Sequence, residues 1–292
     1  MAEQMEDIKR RIKSINSTER ITNAMKLVSA SKLRRAKSVF ESSERYMNRL
    51  LTAISDTFDN AGDVPQDFLT GSREIKTACL VMITSSNGLC GSYNANVIRK
   101  AEELLAESHF QNVKLATIGT KGKEHFINRG YEIVMDHDAP ADTMTFEESG
   151  NISIPLIEMY RRGEIDQIDI VYTAYVNTLK QEVVVKHLLP FDISEVKSKG
   201  DRNYKKQVEY SPSSEDFFSY LVPKYFELLI YRASLEAATC EHAMRREAME
   251  NANDNARDML SSLQVYYNRA RQAQITDQII EIVAGSEAQN GR

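Results

Sequence analysis

Two glycine-containing turns are the segments of this chain whose residue types best fit phosphate binding. Ser85–Asn94 (SSNGLCGSYN) follows an apolar stretch and precedes a helical pattern, and Thr120–Lys123 (TKGK) follows the next apolar stretch. In doubly wound folds, the backbone amides of such turns bind phosphate. Neither segment has the spacing of GxGxxG or GxxxxGK[ST]. We therefore interpret Gly88 and Gly91 as residues that permit a tight strand-to-helix turn, with nucleotide binding as the alternative.

Side chains suited to acid–base, nucleophilic or metal chemistry are scattered along the chain. Asp136–Asp138 (Asp-His-Asp) is the nearest candidate cluster, and we interpret it as an exposed loop. The three cysteines, Cys79, Cys90 and Cys240, lack CxxC and zinc spacing, and the five histidines include no HExxH motif. The pattern predicts reduced, semi-buried thiols. It predicts no metal site, no cofactor and no catalytic residue in this chain.

A basic stretch near the amino terminus predicts an acidic partner. Residues 9–37 carry ten lysines and arginines against one acid, Glu19, whereas residues 62–223 have a net charge of −7. Basic helices bind nucleic acid, acidic proteins or lipid headgroups. This stretch has no aromatic residue to stack on bases, and its charges circle the helix instead of forming one stripe. We expect a protein-facing or solvated helix, with a nucleic-acid-binding scaffold as the alternative.

The elements that position these residues follow from the distribution of glycine and proline. Residues 1–61 and 224–284 contain neither residue type, and helix interiors tolerate these two least. Each segment would extend about 90 Å as a helix that rises 1.5 Å per residue. The sequence predicts two long helices. We expect Gly285 to end the second helix, and Pro223 to kink it or to separate a short lead-in from it.

Both arms carry the apolar spacing of helices that pair. In the first arm, apolar residues from Met5 to Val28 recur at three- and four-residue steps. In the second arm, an a/d register runs from Phe218 to Ala270 over eight heptads, which is the coiled-coil pattern. Polar residues occupy the middle of this register, and we expect that part to be wetter and weaker than the ends. These residues are Arg232, Thr239, His242, Arg246 and Asn253.

The end of the second arm is apolar around most of its circumference. The apolar residues there are Ile275, Ile279, Ile280, Ile282 and Val283. A helix of this kind must be enclosed. Because one partner helix cannot enclose it, the sequence predicts a larger protein sleeve around this end.

The middle of the chain alternates strands with helices, which predicts a mainly parallel α/β sheet. The predicted strands are Ile75–Thr84, Val113–Ile118, Tyr131–Met135, Gln167–Val176 and an antiparallel Glu182–Leu188. The predicted helices are Tyr93–Glu107, Lys121–Arg129 and Ile154–Arg162. No run of 18 apolar residues occurs, and the start of the sequence lacks the apolar stretch of a secretory signal. We therefore expect a cytoplasmic protein that does not span a membrane.

Three segments of the chain resemble the gamma subunit of the F-type ATP synthase. They are ITNAMKLVSASKLRRA (residues 21–36), GLCG (residues 88–91) and YYNRARQAQITDQIIEIVAGSEA (residues 266–288). The resemblance implies an antiparallel coiled-coil shaft formed by residues 1–61 and 211–292, with a Rossmann-like α/β domain at residues 62–210. It also implies a central rotor shaft that couples ion flow through the membrane rotor to ATP synthesis or hydrolysis at the beta subunits. The shaft would not itself be catalytic.

The same resemblance implies partners and contact residues. The partners are three alpha and three beta subunits, epsilon, delta indirectly, and the c-subunit ring. Nucleic acid is not among them, and membrane contact is made only through the complex, at the cytoplasmic face of the cell membrane. Contacts with beta are implied for Met25, Lys26, Arg271, Gln272 and Thr276. An apical bearing is implied for Ile275, Ile279, Ile280, Ile282 and Val283, and a foot on the c ring for Tyr210, Ser211 and Pro212.

Overall fold

The computed structural model describes residues 2–60, 75–107, 110–177, 180–191 and 214–290. Two long helices form the ends of this chain, α1 at Ala2–Asn60 and a terminal helix, α5, at Ser214–Asn290. The prediction of two long terminal helices is confirmed. The predicted end of the first helix at Gly62, beyond α1, lies outside the described residues.

The predicted end at Gly285 is wrong, and Pro223 does not separate a lead-in from the main helix, because α5 is continuous through both residues. The kink at Pro223 stays a prediction. The proline costs about 3 kcal/mol in a helix interior. Its neighbours Val222 and Phe226 are buried in the core, and their packing offsets that cost. Gly285 does not adopt the positive φ with which a glycine ends a helix, so it only weakens the helix locally.

The chain divides into two compact units. One unit contains Met1–Ser29 and Arg245–Arg292, and the other contains Ala30–Met244. In the first unit, Asn253 and Arg257 both contact Glu19, and Lys26 pairs with Glu250. Since the partner number falls along α5 as the number rises along α1, the two segments are antiparallel. The predicted antiparallel coiled coil is confirmed in this unit.

The second unit contains a five-stranded sheet with the strand order β3-β2-β1-β4-β5. The strands are β1 (Thr77–Ile83), β2 (Asn112–Ile118), β3 (Ile133–His137), β4 (Gln167–Tyr175) and β5 (Gln181–Leu189). Strand β5 is antiparallel to β4, and the other neighbours are parallel. The predicted α/β class and the antiparallel last strand are both confirmed.

Three helices connect the parallel strands, namely α2 (Tyr93–Glu107), α3 (Thr120–Ile127) and α4 (Phe146–Arg161). Helix α4 begins well before the predicted Ile154. Its start is fixed by a capping box, in which Thr145 Oγ1 accepts from the Glu148 amide and the Glu148 carboxylate accepts from the Thr145 amide. This Thr-x-x-Glu pattern is a local sequence signal for the start of a helix, which the prediction did not use.

Alternation along β1 divides the core of this unit between the two faces of the sheet. Cys79, Val81 and Ile83 belong to a cluster with residues of α4 and α5, which cover one face. Leu80 and Met82 belong to a second cluster with residues of α2 and α3, which cover the other face. Because side chains alternate across a strand, one buried seven-residue strand supplies both layers of the core.

Candidate functional site

The first glycine-containing turn is closed by its own hydrogen bonds. The Ser85 amide donates to Asn94 Oδ1 at 2.9 Å, and Asn94 Nδ2 donates to Ser85 Oγ at 2.7 Å. Gly91 has a φ of 60°, which confirms that this glycine permits the turn. Gly88 has no positive φ, and a Cβ added there would have no neighbour within 4 Å, so the predicted need for glycine at this position is wrong.

The second turn is hydrogen-bonded to the end of β1. At the start of α3, the Lys121 amide donates to the Ser85 carbonyl at 3.2 Å and the Gly122 amide donates to Thr84 Oγ1 at 2.9 Å. A Cβ at Gly119 would lie 2.1 Å from the Thr84 carbonyl oxygen. The free amides that bind anions at a helix start are therefore occupied by protein groups.

Helix α5 fills the crevice at the carboxyl ends of β1 and β4. In this strand order the connections leave β1 and β4 in opposite directions, and open α/β sheets bind ligands at such a switch point. Here Cys240 of α5 is fully buried against Cys90 and Tyr93 of the first turn, and Tyr175 and Met244 pack against the cluster. The place for a nucleotide is taken by a helix of the chain itself.

A buried carboxylate attaches α5 to the end of β4. Glu236 Oε1 accepts a hydrogen bond from the Tyr175 amide at 2.9 Å, and its Oε2 accepts from Tyr172 Oη at 2.8 Å. Burial and the nearby Glu236 charge raise the pKa of Tyr172 above its usual value, so the phenol stays protonated and donates. Because one bond goes to the backbone of Tyr175 and the other to the side chain of Tyr172, the two bonds together fix the position of α5 against β4.

A second, half-buried carboxylate connects three elements of the same unit. Asp142 lies between β3 and α4, and its Oδ2 accepts from His242 Nε2 of α5 at 3.1 Å and from Lys32 Nζ of α1 at 2.9 Å. Hydrogen bonds from His242 and Lys32 hold the pKa of Asp142 well below its usual value, against the opposing effect of burial. Both long helices are thus attached to the α/β domain through one side chain.

The prediction of an exposed loop at Asp136–Asp138 is confirmed for the exposure of Asp136 and Asp138, and it is wrong for the loop. Asp136 and His137 end β3, and the Lys123 ammonium pairs with Asp136 at 2.6 Å and with Asp138 at 2.9 Å. Within the described ranges, no group of three or more histidine, cysteine or acidic side chains is arranged to hold a metal ion. The cluster is a strand-end ion-pair network.

The cysteines are buried more completely than predicted. All three are free thiols with buried side chains. Burial raises the pKa of Cys79 to about 12, and burial also raises the pKa of Cys240. These two thiols are protonated at neutral pH and are poor nucleophiles.

Three of the five polar positions of the coiled-coil register, Thr239, His242 and Asn253, are buried and hydrogen-bonded, so the expectation of a wet middle is wrong for them. The other two, Arg232 and Arg246, are half-buried. In the first unit, Asn253 Nδ2 donates to the Glu19 carbonyl at 2.9 Å and to Thr22 Oγ1 at 3.3 Å. In the second, Thr239 Oγ1 donates to the Leu235 carbonyl, and His242 donates to Asp142. Each of these polar groups has a partner supplied by a neighbouring turn or element, which sequence spacing does not reveal.

The predicted contact residues differ in exposure. Met25 and Lys26 are half-buried, whereas Arg271, Gln272 and Thr276 are exposed. The five predicted bearing residues are 47–70% exposed, which is unusual for isoleucine and valine. They are Ile275, Ile279, Ile280, Ile282 and Val283. The predicted foot, Tyr210 to Pro212, lies outside the described residues.

Sequence reasoning missed Glu236 and Asp142. Glu236 lies among buried apolar residues of α5, and an acid at such a position is a signal of a buried polar contact. Nothing in the sequence near Asp142 distinguishes it from other acids of the domain, because its partners are more than 90 residues away along the chain.

Comparison with known proteins gives a match over nearly the whole chain. Residues 4–289 match the family model described as ATP synthase. The "ATP synthase gamma chain" of Alkaliphilus metalliredigens is 40% identical, over 97% of this chain and 98% of that protein. The "ATP synthase gamma chain, sodium ion specific" of Acetobacterium woodii is 34% identical, over 99% of this chain and 100% of that protein.

Solved structures share the fold. A chain of the Euglena gracilis mitochondrial ATP synthase, in a structure of OSCP, F1 and the c-ring, matches with a TM-score of 0.68 at 20% identity, over 99% of this chain and 95% of that one. A rotor structure from the same organism has a TM-score of 0.65 at 18% identity, over 94% of this chain and 100% of that one. Throughout the described residues, helices that meet the length and hydropathy needed to cross a membrane are absent.

Proposed function

Because this chain belongs to the family of ATP synthase gamma chains, we propose that it is the central rotor shaft of an F-type ATP synthase. The shaft couples ion flow through a membrane rotor to ATP synthesis or hydrolysis at the beta subunits. The observation that carries this proposal is the full-length similarity to named gamma chains, at 40% identity over 97% of the chain. The exposed apolar end of α5 supports it, since such a surface requires a surrounding protein.

The shaft acts by differential contact and not by its own chemistry. An asymmetric helix pair that touches three beta subunits differently biases each toward a different nucleotide affinity, and rotation redistributes those affinities. A non-catalytic role is supported by the switch point, which α5 fills, and by the α3 amides, which the end of β1 occupies. Residues 62–210 then form the domain that supports a shaft built from residues 1–61 and 211–292.

The contacts of the shaft follow the same assignment. Residues near the end of α5 and on α1 contact beta, the apolar end of α5 sits in the bearing of the alpha–beta ring, and the foot meets epsilon and the c ring. The beta-contacting residues are Met25, Lys26, Arg271, Gln272 and Thr276, and the foot includes Tyr210, Ser211 and Pro212. The complex is peripheral, at the cytoplasmic face of the membrane, and delta is an indirect partner.

Coexpression with the alpha and beta subunits of the same genome tests this function. We expect a stoichiometric complex whose ATPase activity depends on the last turns of α5. Truncation after Tyr267 is expected to weaken assembly and coupling while the α/β domain stays folded by circular dichroism. Truncation after Gly285, which retains every predicted bearing residue, is the matched control. If the full chain forms no complex with the alpha and beta subunits, the proposal is overturned.

Two further measurements separate the alternatives. Calorimetry of the full chain with ATP and with NAD is expected to show no saturable binding, because the turn amides are occupied. A nucleic-acid-binding scaffold would instead bind DNA or RNA with an affinity that falls steeply with salt. Saturable binding of ATP or NAD would favour a nucleotide-binding protein, and salt-dependent binding of DNA or RNA would favour the scaffold.

A further inference from the structure

The α/β unit contains a cavity that the rotor function does not use. It lies between the β4–β5 end of the sheet and the helices α1 and α5, and its volume is about 590 Å³. Cavities that hold small organic ligands range from about 300 to 1,000 Å³. The walls combine apolar side chains, including Met47, Leu51 and Leu229, with the polar groups of Tyr172, Lys186 and Arg232. This composition is typical of a site that orients a ligand by a few polar groups on an apolar wall.

Arg232 is a charged residue of the cavity wall with a buried donor that lacks an acceptor among the described residues. Its guanidinium carbon lies 4.7 Å from the centroid of the Phe40 ring, which holds the group by a cation–π contact. Its Nη1 atom is buried, and no acceptor among the described residues receives a hydrogen bond from it. Buried arginine is normally paired with a carboxylate or another acceptor. The cation is therefore poised for an anion that the described chain does not supply.

The charges around the cavity favour a ligand with one negative charge. Among the described lining residues, Lys186 and Arg232 are the cations and Glu236 is the one carboxylate. Both oxygens of Glu236 already accept from neutral donors, Tyr172 Oη and the Tyr175 amide. Lys186 already donates to Tyr172 Oη, so the cation that has an unoccupied donor among the described residues is Arg232. One such cation suits a single negative charge, and the nearby Glu236 opposes a dianion such as a phosphate ester. A planar monoanion also matches the fork of the guanidinium.

We propose that this cavity is a binding site for an organic monocarboxylate with an apolar body. The carboxylate is held at the Arg232 and Lys186 end. The body packs against Met47, Leu51 and Leu229, where an inorganic anion would leave apolar wall uncovered. Binding here joins β5 to both long helices of the unit.

Titration of the full chain, labelled with ¹³C at the methionine methyl groups, tests the proposal with octanoate as the probe. Met47 lines the cavity, whereas Met259 is exposed elsewhere on α5 and reports non-specific association. We expect a saturable shift of the Met47 signal and no saturable shift of Met259. Octanol, which has the same chain without charge, is expected to bind at least about 10-fold more weakly. Octylammonium and inorganic phosphate are expected to produce no saturable shift of Met47.

Substitution of the arginine provides the second arm. Arg232→Gln is expected to weaken octanoate binding by about 10-fold or more, because a charge-assisted contact is lost. Arg162→Gln, at an exposed arginine that follows α4, is the matched control and should leave binding unchanged. Equal affinity for octanoate and octanol would overturn the proposal even if the Arg232 variant did not fold. Unchanged binding in a folded Arg232 variant, or phosphate binding as tight as octanoate binding, would also overturn it.

Discussion

Glu236 of the terminal helix accepts a hydrogen bond at 2.9 Å from the backbone amide of Tyr175, at the carboxyl end of β4. In nucleotide-binding α/β folds, this edge of the sheet receives a ligand. Here it receives a carboxylate of the chain's own helix, and the same carboxylate also accepts from Tyr172. The edge of the sheet that binds a ligand in those folds is therefore bonded to a long helix of the same chain.

Replacement of Glu236 should destabilise the α/β unit. Glu236→Ala removes the acceptor of the buried Tyr172 hydroxyl and of the partly buried Tyr175 amide, and we expect the free energy of unfolding to fall by about 2–4 kcal/mol. Urea denaturation of the full chain measures it. Glu247→Ala, at an exposed acid of the same helix, is the control and should change stability by less than about 0.5 kcal/mol. Equal effects of the two variants would contradict the anchoring role.

The contribution of Asp142 should depend on pH in a defined direction. Its pKa is lowered in the folded protein by His242 and Lys32, so its ionised form stabilises the fold above the unfolded pKa and this stability is lost as pH falls. We expect Asp142→Asn to cost about 2 kcal/mol at pH 7.

Urea denaturation of both proteins across the acid range follows that difference. The difference in the free energy of unfolding between wild type and Asp142→Asn should have its full size above about pH 5. It should become smaller as pH falls below the usual aspartate pKa of about 4. If this difference in free energy stayed constant down to about pH 3, the charge of Asp142 would not be the stabilising feature.

Two glycines should respond differently to the same substitution. Gly119 has a φ of 87°, and an added Cβ would lie 2.1 Å from the Thr84 carbonyl oxygen. We expect Gly119→Ala to cost about 3 kcal/mol or more, since strain and a backbone clash add. Gly88→Ala meets no atom within 4 Å and should be nearly neutral. Thermal unfolding of the two variants distinguishes them, and a neutral Gly119→Ala would show that the two turns do not pack as described.

Asn253 should stabilise the coiled coil, whereas the nearby Asn251 should not. Its side chain is fully buried and donates to the Glu19 carbonyl, so Asn253→Ala removes the donor and leaves a small cavity. We expect a loss of about 1–3 kcal/mol, measured by urea denaturation followed by circular dichroism. Asn251→Ala, at an exposed position of the same helix, is the control. Similar losses for both would indicate a helix-propensity effect instead of a seam contact.

The proposed contact with beta predicts a difference between two exposed arginines. In the assembled complex, Arg271→Ala should lower the ATPase rate by about 10-fold, the effect of losing one well-placed interface contact. Arg269→Ala, exposed on the same stretch of helix, should retain activity close to that of the unmodified complex. Both variants must assemble for the comparison to hold, which gel filtration checks. Equal rates for the two would remove Arg271 from the proposed contact set.

Much of the fold is legible in the sequence, because it depends on local signals. The absence of glycine and proline predicts α1 and α5, and the alternation of apolar strands with helical patterns predicts the sheet, including the bounds of α2. The apolar end of α5 and the family resemblance also come from contiguous residues. Continuity through Pro223 and Gly285 could not be predicted, since it depends on packing and on a backbone angle.

The sequence by itself determined the element types, the pairing of two long helices and the family to which the chain belongs. Only the tertiary structure decided that the nucleotide crevice is filled, because Cys90 and Cys240 meet there from positions 150 residues apart. It also decided that Asp142 joins α1 and α5, and that Arg232 faces a cavity although the coiled-coil register places it in the seam. Spacing along one helix reports which residues share a face. What lies opposite that face depends on chain segments that are remote in sequence.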